Sequence, residues 1–283
     1  MSTPASFPDA SSSASFLEAI DWQRPWLAPF RALGRQLSAA ADWRLALNAA
    51  AMAGDIRNHQ DLPIRFVAQA ELPAATAYEA FISSSGQVPT RDNLHDFLNA
   101  LVWLSFPAIK ACLNALQAAE LARAGTLSGS SKPRGAARDA ATIFDENAAL
   151  LVVRDNPSGQ NLIAALRNHQ WQQAFIEQRR AFDCDAEVWL FGHALMEKLV
   201  RPYKAITAHA LVLFAPEPFF ALEQDAKRAW IDSQIAADLM RHGSVIGRLT
   251  PLPVLGVPGW SADQDADFYA DAAVFRPKRS VAA

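Results

Sequence analysis

The stretch from Gln87 to Lys110, QVPTRDNLHDFLNALVWLSFPAIK, sets six polar side chains into an apolar helical run ahead of a proline. Arg91, Asp92, Asn93, His95, Asp96 and Asn99 are interleaved with Leu94, Phe97, Leu98, Leu101, Val102 and Trp103. A polar group buried without a partner costs about 1–3 kcal/mol. Any fold this chain adopts must therefore supply partners for these groups, and the segment predicts either a site or a locked buried network.

The chain has 283 residues, enough to bury one sizeable core, and we expect a single domain over 15–274. A hydrophobic fraction of 51% beside 19% charged residues is globular, and no uninterrupted apolar run approaches the roughly 20 residues of a membrane helix. Residues 1–14 are rich in Ser, Ala and Pro, lack the basic start and apolar stretch of a signal peptide, and read as a disordered lead-in. Residues 275–283 read as a flexible basic tail. Two cysteines without paired metal spacing argue against a disulfide framework or a zinc finger and fit a reducing cytoplasm. The net charge of -3 predicts neither nucleic acid nor a membrane surface as a partner, and leaves a small-molecule ligand. The oligomeric state is not legible.

Periodicity and punctuation divide the chain into helices and a few strands. Residues 16–52 carry two helical patterns, 63–72 a short strand, and 74–82 a helix ended by SSSG. Thr90 is the expected N-cap of one helix over 91–123, kinked at Pro107 because proline cannot bond the carbonyl one turn back. The Gly, Ser and Pro of 124–135 predict a surface loop suited to act as a lid. A helix over 136–144, a turn at 145–148, a buried strand at 149–153 and a helix over 158–180 follow. Strands at 186–191 and 210–214 flank a helix that opens with Gly192 and His193, and a long helix covers 222–241. PLPVLGVPGW at 251–260 is too rich in Pro and Gly for anything but an ordered turn structure. The fold class is α+β, mostly helical, with a small sheet.

Three clusters carry chemistry. His95 and Asn99 are four apart and share a helix face, with Asp92 three residues before His95, so a carboxylate could fix the imidazole tautomer. The competing view makes Asp92 and Asn93 first-turn residues that satisfy backbone amides. FDEN at 144–147 places Asp145 and Glu146 at a helix end, where turn chemistry alone accounts for acceptor side chains. His193 and Glu197 are four apart at a helix start, a spacing that places two ligands on one metal or lets a carboxylate orient an imidazole. The alternative there is an exposed helix with Glu197 paired to Arg201. His209, entering an apolar strand, also needs a partner. No P-loop, G-x-S-x-G, dinucleotide fingerprint or H-E-x-x-H is present.

The segments VPTRDNLHDFLNALVWLSFP, RDAATIFDENAALL, FGHALMEKLVRPYKAITAHAL and PLPVLGVPGW give the chain a resemblance to the bacterial family called domain of unknown function 3025. The resemblance covers about residues 20–262 and implies no activity. It implies a glycine after the DEN triplet, where this chain has Ala148.

Two functions stay open. In the first, the chain is an enzyme, a hydrolase in which His95, Asp96, Asn99, Asp145 and Glu146 are catalytic. His193, Glu197 and His209 would hold a divalent metal or serve a metal-free acid/base pair, and Arg91, Lys198 and Lys204 would hold an anionic substrate. This version requires His95 and His193 within about two side-chain lengths. In the second, the chain is a binding or scaffold protein, the polar residues are saturated structural networks, and no cavity opens beside them.

Overall fold

The computed structural model describes residues 14–126, 136–245 and 247–278. The expected lead-in falls almost wholly outside these residues, as do most of the 124–135 loop and the end of the tail.

In chain order the first elements are α1 (Ala14–Glu18), a 3-10 turn at Pro25–Phe30, α2 (Arg31–Ser38), α3 (Trp43–Ala53), β1 (Arg65–Ala68), α4 (Tyr78–Ser85) and β2 (Gln87–Thr90). Next come α5 (Leu94–Ser105), α6 (Pro107–Thr126), α7 (Ala136–Asn147), β3 (Ala148–Arg154), α8 (Pro157–Arg167), α9 (Arg179–Asp185) and β4 (Ala186–Leu190). The last are α10 (His193–Lys198), β5 (Thr207–Ala215), α11 (Gln224–His242), β6 (Leu249–Pro253) and α12 (Ala266–Ala270). The chain is a mostly helical α+β protein with two small sheets. No single helix among the described residues is long and apolar enough to cross a membrane.

The larger sheet has the order β4-β3-β5-β6. Its centre is β3, AALLVVR, buried from Ala148 to Val153, the continuous apolar run of a strand covered on both faces. It pairs antiparallel with β4 and parallel with β5, and a parallel partner requires a crossover connection. The edge strand β6 contains Pro251 and Pro253, and proline is tolerated at a sheet edge because no further ladder needs its missing N–H. That register corrects the expectation of turn structure at the start of 251–260. The small sheet pairs β1 with β2 in parallel, Phe66 against Val88, so the residues before the polar helix are extended and Thr90 belongs to a strand.

The helix expected over 91–123 is two helices meeting at 112°. Asn93, not Thr90, caps α5, its side chain accepting from Asp96 N at 2.8 Å. Pro107 does more than kink the axis: it opens a new helix at the position where its missing N–H costs nothing. The next two amides, Ala108 N and Ile109 N, donate to the two carboxylate oxygens of Asp232 on α11, each at 2.9 Å. Asp232 is 7% exposed, and burial raises its pKa to about 6 against the pull of those two amides. Other boundaries moved less. Helix α7 runs on to Asn147 and β3 starts at once, so the expected turn at 145–148 is absent and Ala148 has no positive φ. The helix expected over 158–180 ends at Arg167, with His169 in the left-handed region at φ 56°.

A single buried cluster reaches from Leu17 to Phe275. Part of it lies directly behind the polar residues: Phe144 stacks on Phe191 at 4.9 Å between ring centroids, and Phe106 meets Phe191 at 5.9 Å and Trp189 at 6.4 Å. These rings fix the ends of α7 and β4 against the elbow between α5 and α6.

Candidate functional site: a polar cavity between helices

Antiparallel pairing of β3 with β4 sets the start of one strand beside the end of the other. The amides of Phe191 and Gly192 both donate to the Ala148 carbonyl, at 3.1 and 2.8 Å. Asp145 and Glu146 therefore arrive beside His193, although almost fifty residues separate them in the chain. Gly192 is what permits the approach. A Cβ there would lie 2.4 Å from Glu146 O and 2.5 Å from both Asn147 N and Ala148 N. Its φ of -62° is ordinary, so space and not backbone freedom requires glycine. Replacing Gly192 with Ala is expected to cost about 2–3 kcal/mol in urea denaturation, because those three neighbours are backbone and cannot rotate away. A loss below about 0.5 kcal/mol would show that the two segments are not clamped.

The clamp brings the histidines together. His193 Nε2 lies 3.1 Å from His95 Nε2, the rings meeting edge to face, and His95 Nδ1 lies 2.8 Å from Glu197 Oε2. Glu197 orients an imidazole as its spacing suggested, but the ring is that of His95 and not its own helix neighbour. Asp92, expected to orient His95, instead pairs with Arg44 at 2.6 Å. With Nδ1–H donated to Glu197, the network assigns a lone pair to His95 Nε2 and an N–H to His193 Nε2. His193 Nδ1 then carries a lone pair and has no hydrogen-bond partner; the Asp145 carboxylate is 3.9 Å away. Burial lowers the His193 pKa to about 4 despite the opposing charge of Asp145, so the ring is neutral at pH 7.

A chain of contacts continues behind His193. Lys110, 4% exposed, sets its ammonium 2.5 Å from Asp145 Oδ1, 2.9 Å from Asn99 Oδ1 and 5.4 Å from the centre of the Trp103 ring. Burial alone would raise the Asp145 pKa, but the charges of Lys110 and His193 and the Lys110 hydrogen bond outweigh it and leave it lowered. Asn99 Nδ2 donates to the Tyr78 hydroxyl at 3.2 Å. Burial first, then Glu79, Asp96 and Asp145, push the Tyr78 pKa well above its ordinary value and keep it a neutral phenol. Arg91 grips Asp96 with Nε and one terminal nitrogen at 3.0 Å each, and the same carboxylate accepts from Arg91 N.

These residues wall a cavity of about 350 Å³, within the range of small-molecule sites. Six of the expected residues line it: Arg91, His95, Asp96, Asn99, Asp145 and Glu146, with His193 as a seventh. The other four do not. Glu197 reaches it through His95. Lys198 is exposed and donates to Asn147 at 2.9 Å, and Lys204 pairs with Asp271 at 2.8 Å. His209 is exposed on β5, in register with Ala148 and Pro251. The set His193, Glu197 and His209 is thus not gathered around one point, and among the described residues no group of three or more His, Cys, Asp or Glu is arranged to hold a metal ion.

The sequence reading missed Tyr78, Glu79, Lys110, Gln117 and Thr142. Four of them line the cavity, and Lys110 lies behind it. A signal was present: Lys110, Asn114 and Gln117 stand at i, i+4 and i+7 on α6, a polar stripe on a helix whose remaining inward face is apolar, and all three are buried.

No curated protein and no solved structure matches this chain. The model of one family, described as a protein of unknown function (DUF3025), matches residues 64–279, which include every residue of the cavity wall, and the chain belongs to that family.

Proposed function

We infer that the protein is an enzyme, a hydrolase working by general acid/base catalysis in the cavity between α4, α5, α6, α7 and α10. One observation carries this reading: His95 is held between the Glu197 carboxylate and the Nε2 of a neutral, buried His193, at the wall of a cavity. Two nitrogens 3.1 Å apart share a single proton, so one ring presents a lone pair and the other an N–H. The rings must part for a water to enter, and that water then donates to His95 Nε2 and accepts from the His193 Nε2–H. As its oxygen attacks an acyl or phosphoryl centre, His95 Nε2 takes the proton and later returns it to the leaving group, while Glu197 stabilises the intervening imidazolium. Glu197 and His193 act here as positioning residues. Metal-assisted hydrolysis has less support, because the expected donor set is not gathered.

The structural alternative draws on the bonding of Arg91 to Asp96 and of Lys110 to Asp145, which need no substrate. It explains those pairs but not the open cavity.

The test is a screen of ester, amide and phosphoester substrates with wild type, His95→Gln and Glu197→Gln. His95→Gln is expected to lower kcat by about a hundredfold or more while its melting curve stays close to wild type. Glu197→Gln should shift the pH profile of kcat/KM as well as its height. Turnover unaffected by His95→Gln would remove the reading.

A further inference from the structure

We propose that the cavity takes a small ligand bearing a protonated nitrogen, an ammonium or guanidinium group, seated between the Glu146 carboxylate and the Gln117 amide. This rests on reading the cavity as the substrate site, and it replaces the anionic substrate expected from the sequence. Four carboxylates line the wall: Glu79, Asp96, Asp145 and Glu146. Three are engaged, Glu79 with Asn114 Nδ2 at 2.7 Å, Asp96 with Arg91 and Asp145 with Lys110. The Glu146 carboxylate has no hydrogen-bond or ion-pair partner among the described residues. Among the described residues the only lysine or arginine on the wall is Arg91, and Asp96 occupies its fork. An anion entering here would meet carboxylates and find no uncommitted cation, whereas a cation meets a free carboxylate in a concave, partly desolvated wall.

Gln117 points to a ligand independently of charge. It sits on α6 at 7% exposure, lines the same cavity, and its amide has no partner among the described residues. An amide held on a cavity wall without a protein partner has its donors and acceptor free for a ligand. Its carbonyl accepts from an N–H of the ligand cation while its NH2 remains for an acceptor on the ligand. The alkyl part has Leu72 to lie against, and the bond to be cleaved faces His95.

Isothermal titration calorimetry tests this with n-butylammonium and n-butylguanidinium as cationic probes, against butyrate and inorganic phosphate. The titrations use the full chain, and Glu146→Gln and Gln117→Leu with melting curves matched to wild type. Saturable binding of a cationic probe, weakened about tenfold or more by Glu146→Gln and less by Gln117→Leu, with neither anion bound, is the expected result. Binding of butyrate or phosphate in preference, cation binding unchanged by Glu146→Gln, or no cation binding into the tens of millimolar would overturn it. Hydrolysis of an anionic substrate, lost in His95→Gln, would refute this inference and leave acid/base catalysis standing. Cation binding by a protein that hydrolyses nothing would do the reverse.

Discussion

Lys110→Met is expected to destabilise the chain by about 3–5 kcal/mol, the cost of removing one member of a buried ion pair. The lysine is 4% exposed, and its ammonium is the hydrogen-bond partner of both Asp145 and Asn99. Methionine keeps the length of the stem, so lost packing contributes little. What remains is a carboxylate enclosed beside His193 without its cation. The matching double variant, Lys110→Met with Asp145→Leu, should regain most of the loss, since replacing both members of a buried pair by apolar groups is often near neutral. A double-mutant cycle in urea measures the coupling directly. If the single variant lay within about 1 kcal/mol of wild type, the Lys110–Asp145 pair would not be holding α6 to α7.

Acidification should reveal a second effect of about 3 kcal/mol, visible only after an opposing one is removed. The His193 pKa is lowered from 6.5 to about 4, so between these values the unfolded chain binds a proton that the folded chain refuses. The stability it contributes is present above pH 6.5 and is lost as the pH falls toward 4, about 3 kcal/mol at 1.36 kcal/mol per unit. Asp232 has the opposite sign. Its pKa is raised from 3.8 to about 6, so the folded chain binds the extra proton and stability is lost as the pH rises through that window. In wild type the two slopes largely cancel. In Asp232→Asn the His193 slope should stand unopposed, with burial of His209 lowering its pKa and acting in the same direction, and urea midpoints should fall steadily from pH 6.5 to pH 4. In His193→Gln the slope should reverse. Equal slopes in all three proteins would mean that neither group has the assigned protonation state.

The relation between sequence and structure differs by element. Strand β3 was legible because a run of apolar residues bounded by polar ones has one economical use, the centre of a covered sheet. The polar helix was legible as an anomaly for the same reason, since its buried polar groups demanded partners. Which partners they found was not. His95 and Glu197 are about one hundred residues apart, and only the β3–β4 register, with the space left by Gly192, places them together. Lys198 and Lys204 look like anion ligands because with Arg201 they make a local basic edge in the sequence, which does not say which way each points; their partners are Asn147 and Asp271. Gln117 was hidden in an otherwise unremarkable helix, although its spacing from Lys110 and Asn114 was readable.

The elbow at Phe106 also sets an order of events when the chain is made. Helices α5 and α6, which hold His95, Asp96, Asn99, Lys110 and Gln117, leave the ribosome long before α11. Until Asp232 emerges, the amides of Ala108 and Ile109 have only water to bond, and the first turn of α6 has no side chain to stop it fraying. The residues on the wall are synthesised early, but the angle between two of the helices that carry them is secured late, from a helix that contributes nothing to the wall itself.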